Sequence, residues 1–218
     1  MTPQHEEYPA YARSERIADG VIHALGVIFA LAGAILLVSL SAWSEEARID
    51  RTVAVAIYGG ALIATFSASA FYHMTPWTRL RPLLRRIDHA AIYFKIAGTY
   101  TPLVVLIGSA FAYAVLAVVW AIALGGAVAK LFFWKSPGRL GPTLYLLMGW
   151  LSIALVWSLA MTLPVASTAL VVIGGLLYSA GVIFFVWEGL RFSNAIWHGF
   201  VLAASACFFA AIAMGVLG

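Results

Sequence analysis

The chain has 218 residues, of which 63% are hydrophobic and 10% are charged, whereas a soluble domain carries about 25% charged residues. With a mean hydropathy of +0.97, the polar side chains are too few to form a water-facing surface, which excludes a soluble enzyme, a disordered chain and a disulfide-stapled secreted domain. The net charge of +4 does not indicate nucleic-acid binding, because the basic residues lie between apolar runs and not on one soluble face.

Seven apolar runs are long enough to cross a membrane, since a spanning helix needs about 20 mostly apolar residues. They lack the alternating polar positions of the strands in a membrane barrel. The sequence therefore predicts an all-α fold: a seven-transmembrane helical bundle that forms one membrane domain (17–218) behind a polar tail (1–16). The predicted spans, in chain order, are 17–43, 52–72, 88–107, 110–133, 141–163, 167–188 and 195–217.

The distribution of Lys and Arg predicts the orientation of the bundle, because basic residues collect in cytoplasmic loops. Ten of them lie in or beside the loops on the N-terminal side, Lys135 and Arg139 included, and two lie on the opposite side. The N-terminus and its tail are therefore predicted to be cytoplasmic and the C-terminus external. Tryptophans near five predicted helix ends have the position of interfacial anchors: Trp43, Trp77, Trp134, Trp187 and Trp197. Gly–Gly pairs at 59–60, 125–126 and 174–175 predict close helix packing.

Ionisable residues inside the spans mark candidate functional sites, because lipid makes them costly. Four spans bring such groups, with a few polar neighbours, within about two helical turns of the predicted cytoplasmic boundary. This polar layer comprises Glu15, Asp19, His23, Ser69, His73, Asp88, His89, Asn194 and His198. Lys95 lies about 10 Å deeper than Asp88 on the same helix face. It is predicted to be the charge partner of Asp88 or a clamp for the polar head of a substrate.

Imidazoles with carboxylates nearby, in a bundle of low dielectric constant, suit a zinc ion. Zinc takes neutral nitrogen ligands and keeps one position for water, and neighbouring carboxylates orient the imidazoles. The spacing of four residues places Ser69 with His73, and Asn194 with His198, on common helix faces. The alternative is that single histidines at helix ends cap backbone groups or lie at the headgroups, above all His89.

Four segments together resemble the hemolysin III branch of the progestin and adipoQ receptor (PAQR) family. They are ERIADGVIH (15–23), SAFYH (69–73), DHAAIYFKIAGTYTP (88–102) and AIWHGFVL (195–202). The resemblance covers nearly the whole membrane domain in order. It implies seven helices with a cytoplasmic N-terminus, in a multi-pass protein of the bacterial inner (plasma) membrane.

The resemblance also implies a metal site. Members of the adiponectin-receptor type hold zinc with three histidines, one from a Ser-x-x-x-His segment and two from a His-x-x-x-His segment that opens the seventh helix. In this sequence His73 and His198 match two ligands, Ser69 matches the serine, and Asp88 matches the aspartate that holds the water on zinc. Asn194 departs from the pattern, because it stands where the remaining histidine is expected and an amide oxygen is a poor zinc ligand. Three possibilities follow: His23 or His89 completes the site, zinc binds weakly with extra water, or the protein holds no metal.

The family resembles the alkaline ceramidases, which share the serine, aspartate and histidine pattern and cleave a lipid amide. The function implied is a zinc-dependent hydrolase of a ceramide-like membrane lipid, with Asp88 as the base. Ser69 would donate to the developing oxyanion or hold the site together. Two alternatives remain open: a pore-forming, haemolytic (cytolytic) protein, and a receptor or regulator of membrane lipid composition with structural zinc. The polar residues gather at one end of the spans and do not follow a continuous path, which disfavours a wide channel.

Overall fold

A computed structural model of the chain describes residues 12–44, 47–133, 140–187 and 189–218. These residues form helices and short connections, with no strand among them, and seven segments are long and apolar enough to cross a membrane. The all-α prediction and the seven predicted spans are thus confirmed for the described residues, whereas the orientation of the termini stays a prediction. The helices are α1 (Arg13–Trp43), α2 (Ile49–Met74), α3 (Arg81–Ile107), α4 (Ala110–Val128), α5 (Leu140–Trp150), α6 (Ile153–Thr162), α7 (Val165–Val186) and α8 (Ser193–Leu217).

Two of the spans contain irregular turns. A π-helical turn, Ala129–Phe133, continues α4, and α5 and α6 together form the fifth span, Gly141–Thr162, with a turn between them. The predictions for residues 1–11, Trp134, Lys135, Arg139 and the end of the sixth predicted span at Glu188 lie outside the described residues.

The first and third helices begin before the predicted apolar runs, because polar residues that hydropathy excludes from a span can still be helical. At the start of α1, a carboxylate oxygen of Glu15 accepts a hydrogen bond from the Ala12 N–H at 3.0 Å. This contact satisfies a backbone donor that the first helical turn leaves open. At the start of α3, Pro82 occupies an early position where its fixed φ favours the helix.

The helices form a closed arrangement around α3. The chain-order neighbours α1, α2, α3 and α4 pack in succession, α7 packs on α8, and α8 packs on α1. The α3 helix also contacts α5, α6 and α8, and it is the most buried of the described spans. Large side chains with almost no exposure fill the interior, among them Leu37, Tyr58, Tyr93, Val104 and Ile212. The outer faces carry exposed apolar residues, as expected where lipid is the solvent.

One glycine of each Gly–Gly pair permits close helix packing, which confirms the prediction for that member of the pair. A Cβ atom at Gly59 would lie 2.8 Å from the Cβ atom of Ala34, and comparable clashes with other helices would occur at Gly126 and Gly174. The other members, Gly60, Gly125 and Gly175, would place a Cβ in open space. The pairs therefore bring helix backbones together through one small residue each.

Candidate metal site

Three histidines from different helices meet where α1 begins, α2 ends and α8 begins. The ring centroids are 5.0 Å apart for His23 and His73, 4.3 Å for His23 and His198, and 4.6 Å for His73 and His198. Each ring offers a nitrogen, and these nitrogens all lie within 4.8 Å of one another. His23, His73 and His198 are called the histidine trio below. Such a buried group could hold a metal ion.

The backbone fixes which nitrogens of the trio are available. The Nδ1 atom of His23 lies 2.8 Å from the Asp19 carbonyl oxygen, and Nδ1 of His198 lies 2.9 Å from the Asn194 carbonyl oxygen. A carbonyl oxygen can only accept, so in both rings Nδ1 carries the proton. In the neutral imidazole, Nε2 then has the free lone pair. The trio therefore presents at least two nitrogens in the form that a metal ion requires.

These two lone pairs converge on one hydroxyl group. The Nε2 atoms of His23 and His198 lie 3.3 Å and 3.2 Å from the Oγ atom of Ser69. The hydroxyl has a single proton and can donate it to only one of the two nitrogens at a time. One of the two nitrogens is thus left without the Ser69 proton, which weakens the contact. A cation bound between the rings would satisfy both.

Two buried carboxylates flank the trio from opposite sides. Asp19, only 6% exposed, has Oδ1 at 3.4 Å from Nδ1 of His23 and at 3.6 Å from Nδ1 of His198. Its Oδ2 lies 3.9 Å from Nδ1 of His73, so one carboxylate faces all three rings. Asp88 instead approaches Nε2 of His73, at 4.0 Å. A carboxylate behind Nδ1 is the partner that commonly orients a metal-bound imidazole.

Asn194 lies beside the trio in a position that supports the rings. Its side-chain Nδ2 is 3.1 Å from Nδ1 of His73, and its backbone carbonyl accepts from Nδ1 of His198. The family resemblance assigns a histidine to this position, whereas the third imidazole near His73 and His198 is that of His23 on α1. Of the two substitutes considered from the sequence, the structure brings His23 into the trio.

His89 lies outside the trio, although it is adjacent to Asp88 in the sequence. Its Nδ1 atom donates to the Arg85 carbonyl oxygen at 2.7 Å and lies 4.0 Å from Oδ2 of Asp88. The Tyr145 hydroxyl donates to the backbone carbonyl of His89 at 3.0 Å. These two contacts join successive turns of α3 and attach α3 to the fifth span. The contact with the Arg85 carbonyl agrees with the alternative interpretation, in which a histidine at a helix end caps a backbone group.

Lys95 does not form the predicted ion pair with Asp88 among the described residues. Its ammonium nitrogen lies 4.7 Å from the ring centre of Phe66 and 5.1 Å from that of Tyr178. The residue is 5% exposed, and Nζ has no hydrogen-bond partner there. The side chain crosses the bundle toward α2 and α7, where the aromatic faces attract the cation.

A narrow cleft connects the beginning of α8 with Asp19. It is lined by Glu15, Asp19 and the segment 192–195, and its volume of about 10 Å³ is close to the room that one water molecule needs. Glu15 closes one wall, because its Oε1 accepts the N–H of Phe192 at 3.0 Å. Phe192 has φ of 63°, a left-handed conformation that is rare for a bulky residue. Water could reach Asp19 by this route.

The sequence indicated every residue of the trio but not the central position of Asp19. The spacing of four residues predicts that Glu15, Asp19 and His23 share one helix face. That spacing does not reveal that α2 and α8 turn their histidines toward the Asp19 carboxylate.

Comparison with known proteins gives consistent matches along the chain. Residues 11–209 match the family described as haemolysin-III related. A hemolysin-3 homolog of Bacillus subtilis (strain 168) is 37% identical over 203 residues, which cover 89% of this chain and 91% of the relative. Hemolysin-3 of Bacillus cereus is 35% identical over 204 residues, with 93% and 92% covered. The monocyte to macrophage differentiation factor of Homo sapiens is 30% identical over 210 residues, with 91% and 83% covered.

Proposed function

Because this chain belongs to the haemolysin-III related family, in the hemolysin III branch of the PAQR proteins, we propose that it is a zinc-dependent hydrolase of a ceramide-like lipid amide. It is a multi-pass membrane protein, and the bacterial inner membrane is the proposed location. The observation that carries the proposal is the convergence of three histidines with two buried carboxylates at one end of the bundle.

The donor set of the trio fits zinc. Catalytic zinc sites use three protein ligands and keep a further position for water or substrate. In His23 and His198 the Nδ1 atom donates to a backbone carbonyl, and both Nε2 atoms lie near the Ser69 hydroxyl. A cation between the rings would accept the lone pairs of both Nε2 atoms. When bound, zinc polarises an amide carbonyl and makes water nucleophilic near neutral pH.

The surrounding residues supply the proton chemistry and the positioning. Asp88 lies on the Nε2 side of His73, where it can take a proton from a water molecule and return it to the departing amine. The Ser69 hydroxyl, between His23 and His198, can donate a hydrogen bond to the developing oxyanion. Asp19 lies 3.4 to 3.9 Å from Nδ1 of the three rings, where its charge would stabilise a cation held between them.

The packing of the bundle favours this proposal over a pore. A central path would have to displace large side chains that are almost fully buried, such as Leu37, Tyr58 and Ile212. Two of the relatives are named hemolysin-3 or a homolog of it, and the pore remains the alternative if no hydrolysis occurs. A receptor or lipid regulator with structural zinc would use the same histidines without turnover.

Metal analysis of the purified protein is the first test. We expect about one zinc per chain, as for a single three-histidine site, and loss of zinc in His23→Ala, His73→Ala and His198→Ala. His89→Ala is the matched control, since this histidine lies in the same layer but outside the trio, and it should keep its zinc. Zinc content that does not depend on the trio, or no zinc in the native protein, would exclude a hydrolase of this kind.

Hydrolysis of ceramide in vesicles is the second test. Asp88→Asn should keep the metal and lower turnover by about 10²–10⁴-fold, the usual contribution of a general base. Ser69→Ala should lower turnover by about 10²–10³-fold, the usual contribution of one oxyanion donor. A protein that binds zinc at the trio but hydrolyses neither ceramide nor other acylated lipids would support the receptor or regulator instead.

A further inference from the structure

A second polar feature lies on the outer side of α1, away from the histidine trio. It is an open cleft of about 270 Å³, lined by Arg13, Arg16, Ile17 and Met74, between the start of α1 and the end of α2. None of these four residues belongs to the trio or contributes a carboxylate to it. The cleft is called the Arg13–Arg16 cleft below.

The spacing of its residues gives the cleft two chemically different ends. Arg13, Arg16 and Ile17 follow the helical spacing of three and four residues, so they share one face of α1. The next residue on this face, Gly20, has no side chain, and a Cβ atom there would lie 3.5 Å from Sδ of Met74. Two guanidinium groups therefore stand at the start of the helix, above a floor formed by Ile17 and Met74.

The floor of the cleft is apolar and exposed. Ile17 is 57% exposed and Met74 is 36% exposed. Ile17 lies in the second turn of α1, and Met74 is the last residue of α2. From the helix start inward, the order is two cations and then apolar surface. A phospholipid has the same order, with its phosphate at the membrane boundary and its acyl chains below.

We propose that the Arg13–Arg16 cleft binds the phosphate headgroup of an anionic phospholipid. Guanidinium groups bind phosphate oxygens through paired hydrogen bonds, and arginines at a membrane boundary attract anionic lipid. The volume of about 270 Å³ is below that of pockets for drug-sized molecules, so it suits the headgroup and the first part of the glycerol. The acyl chains remain in the bilayer against Ile17 and Met74.

The test is a titration of the detergent-purified protein with dioctanoyl phosphatidylglycerol, compared with dioctanoyl phosphatidylcholine, by native mass spectrometry. The double variant Arg13→Gln/Arg16→Gln should bind phosphatidylglycerol about 30-fold more weakly, because each basic residue contributes roughly a factor of five near a membrane surface. Arg79→Gln/Arg86→Gln is the matched control: it removes two exposed arginines that do not line the cleft, and it should bind like the native protein.

Three outcomes would overturn the proposal. An equal loss in Arg79→Gln/Arg86→Gln would mean that the attraction is due to overall charge. Displacement of phosphatidylglycerol by inorganic phosphate at equal concentration would assign the cleft to a free anion. Lipid binding that appears only after removal of residues 2–11 would assign the cleft to the terminal segment of the chain. Unchanged zinc content in Arg13→Gln/Arg16→Gln would show that the variant is folded and that the lipid site is independent of the trio.

Discussion

Replacing His23 by alanine is the most informative change, because it tests whether His23 is the third ligand of the proposed zinc site, in place of the histidine that the family resemblance implies at position 194. His23 is 3% exposed, its Nδ1 proton is held by the Asp19 carbonyl, and its Nε2 faces the shared hydroxyl of Ser69. Alanine removes one of three nitrogens and leaves two histidines, fewer protein ligands than zinc sites use. We therefore expect His23→Ala to lose zinc under conditions in which the native protein retains it.

The size of the loss follows from the free energy of zinc binding. Protein zinc sites with four ligands bind with about 10–16 kcal/mol near pH 7, or about 2.5–4 kcal/mol for each ligand. Since about 1.4 kcal/mol corresponds to a factor of ten, loss of one ring should weaken binding by about 10²–10³-fold. Competition with a chromogenic chelator measures the ratio of the zinc affinities of the native protein and the variant. His89→Ala is the control, because it shows how far the loss of a histidine outside the trio changes zinc affinity.

The double variant His23→Ala/Asn194→His separates loss of a ligand from loss of the fold. The Asn194 side chain already lies 3.1 Å from Nδ1 of His73, and position 194 is one helical turn from His198. A histidine there can supply the missing nitrogen and restore zinc binding. In the native background Asn194→His should increase zinc affinity much less than it does in the His23→Ala background, because His23 would already provide the third nitrogen. If His23→Ala binds zinc as tightly as the native protein, His23 is not a ligand.

Three further predictions concern other parts of the bundle. Lys95→Met should keep zinc and raise Tm in detergent, because it removes a buried ammonium group that has no hydrogen-bond partner among the described residues. Burial of such a group costs about 1–3 kcal/mol of stability. A lower Tm or a loss of zinc would show that the ammonium group is needed. Glu15→Ala should lower Tm in detergent, because the Phe192 N–H and the α1 N-terminus both lose their acceptor. Ser14→Ala, the control, should lower Tm less, and equal decreases would refute the role of Glu15. A reporter fused after Gly218 should be external and one inserted in 77–86 cytoplasmic; a cytoplasmic C-terminus would refute the predicted orientation.

The sequence predicted the spans well because lipid imposes a simple rule on them. Every crossing segment must satisfy its own backbone and face hydrocarbon, so length and hydropathy suffice to find it. Helix starts were predicted less well, since α1 begins at Arg13 and α3 at Arg81, both in polar stretches. These starts depend on a local acceptor, Glu15, and on an early proline, Pro82, which hydropathy does not register.

The site was only partly predictable, because its membership depends on how helices turn about their axes. The sequence placed Asp19, His23 and His89 in one layer but could not tell which of them faces His73 and His198. In the structure α1 turns His23 and Asp19 toward His73 and His198, whereas the His89 ring bonds to the backbone of its own helix, at the Arg85 carbonyl. The expected pairing of Lys95 with Asp88 failed for the same reason: a shared helix face does not fix where a long side chain points.

The number of helices that a bound metal ion would join depends on which helices carry its ligands. In the ligand pattern that the family resemblance implies, two histidines come from one helix, so a metal ion would join two helices. In the histidine trio each ligand comes from a different helix, because His23 lies on α1, His73 on α2 and His198 on α8. A metal ion there would attach α1 to α2 and to α8. This attachment lies near the start of α1, where Glu15 also accepts the hydrogen bond from the Phe192 N–H. Removal of the metal should therefore loosen the start of α1 first, in hydrogen exchange, and leave the centre of α3 protected.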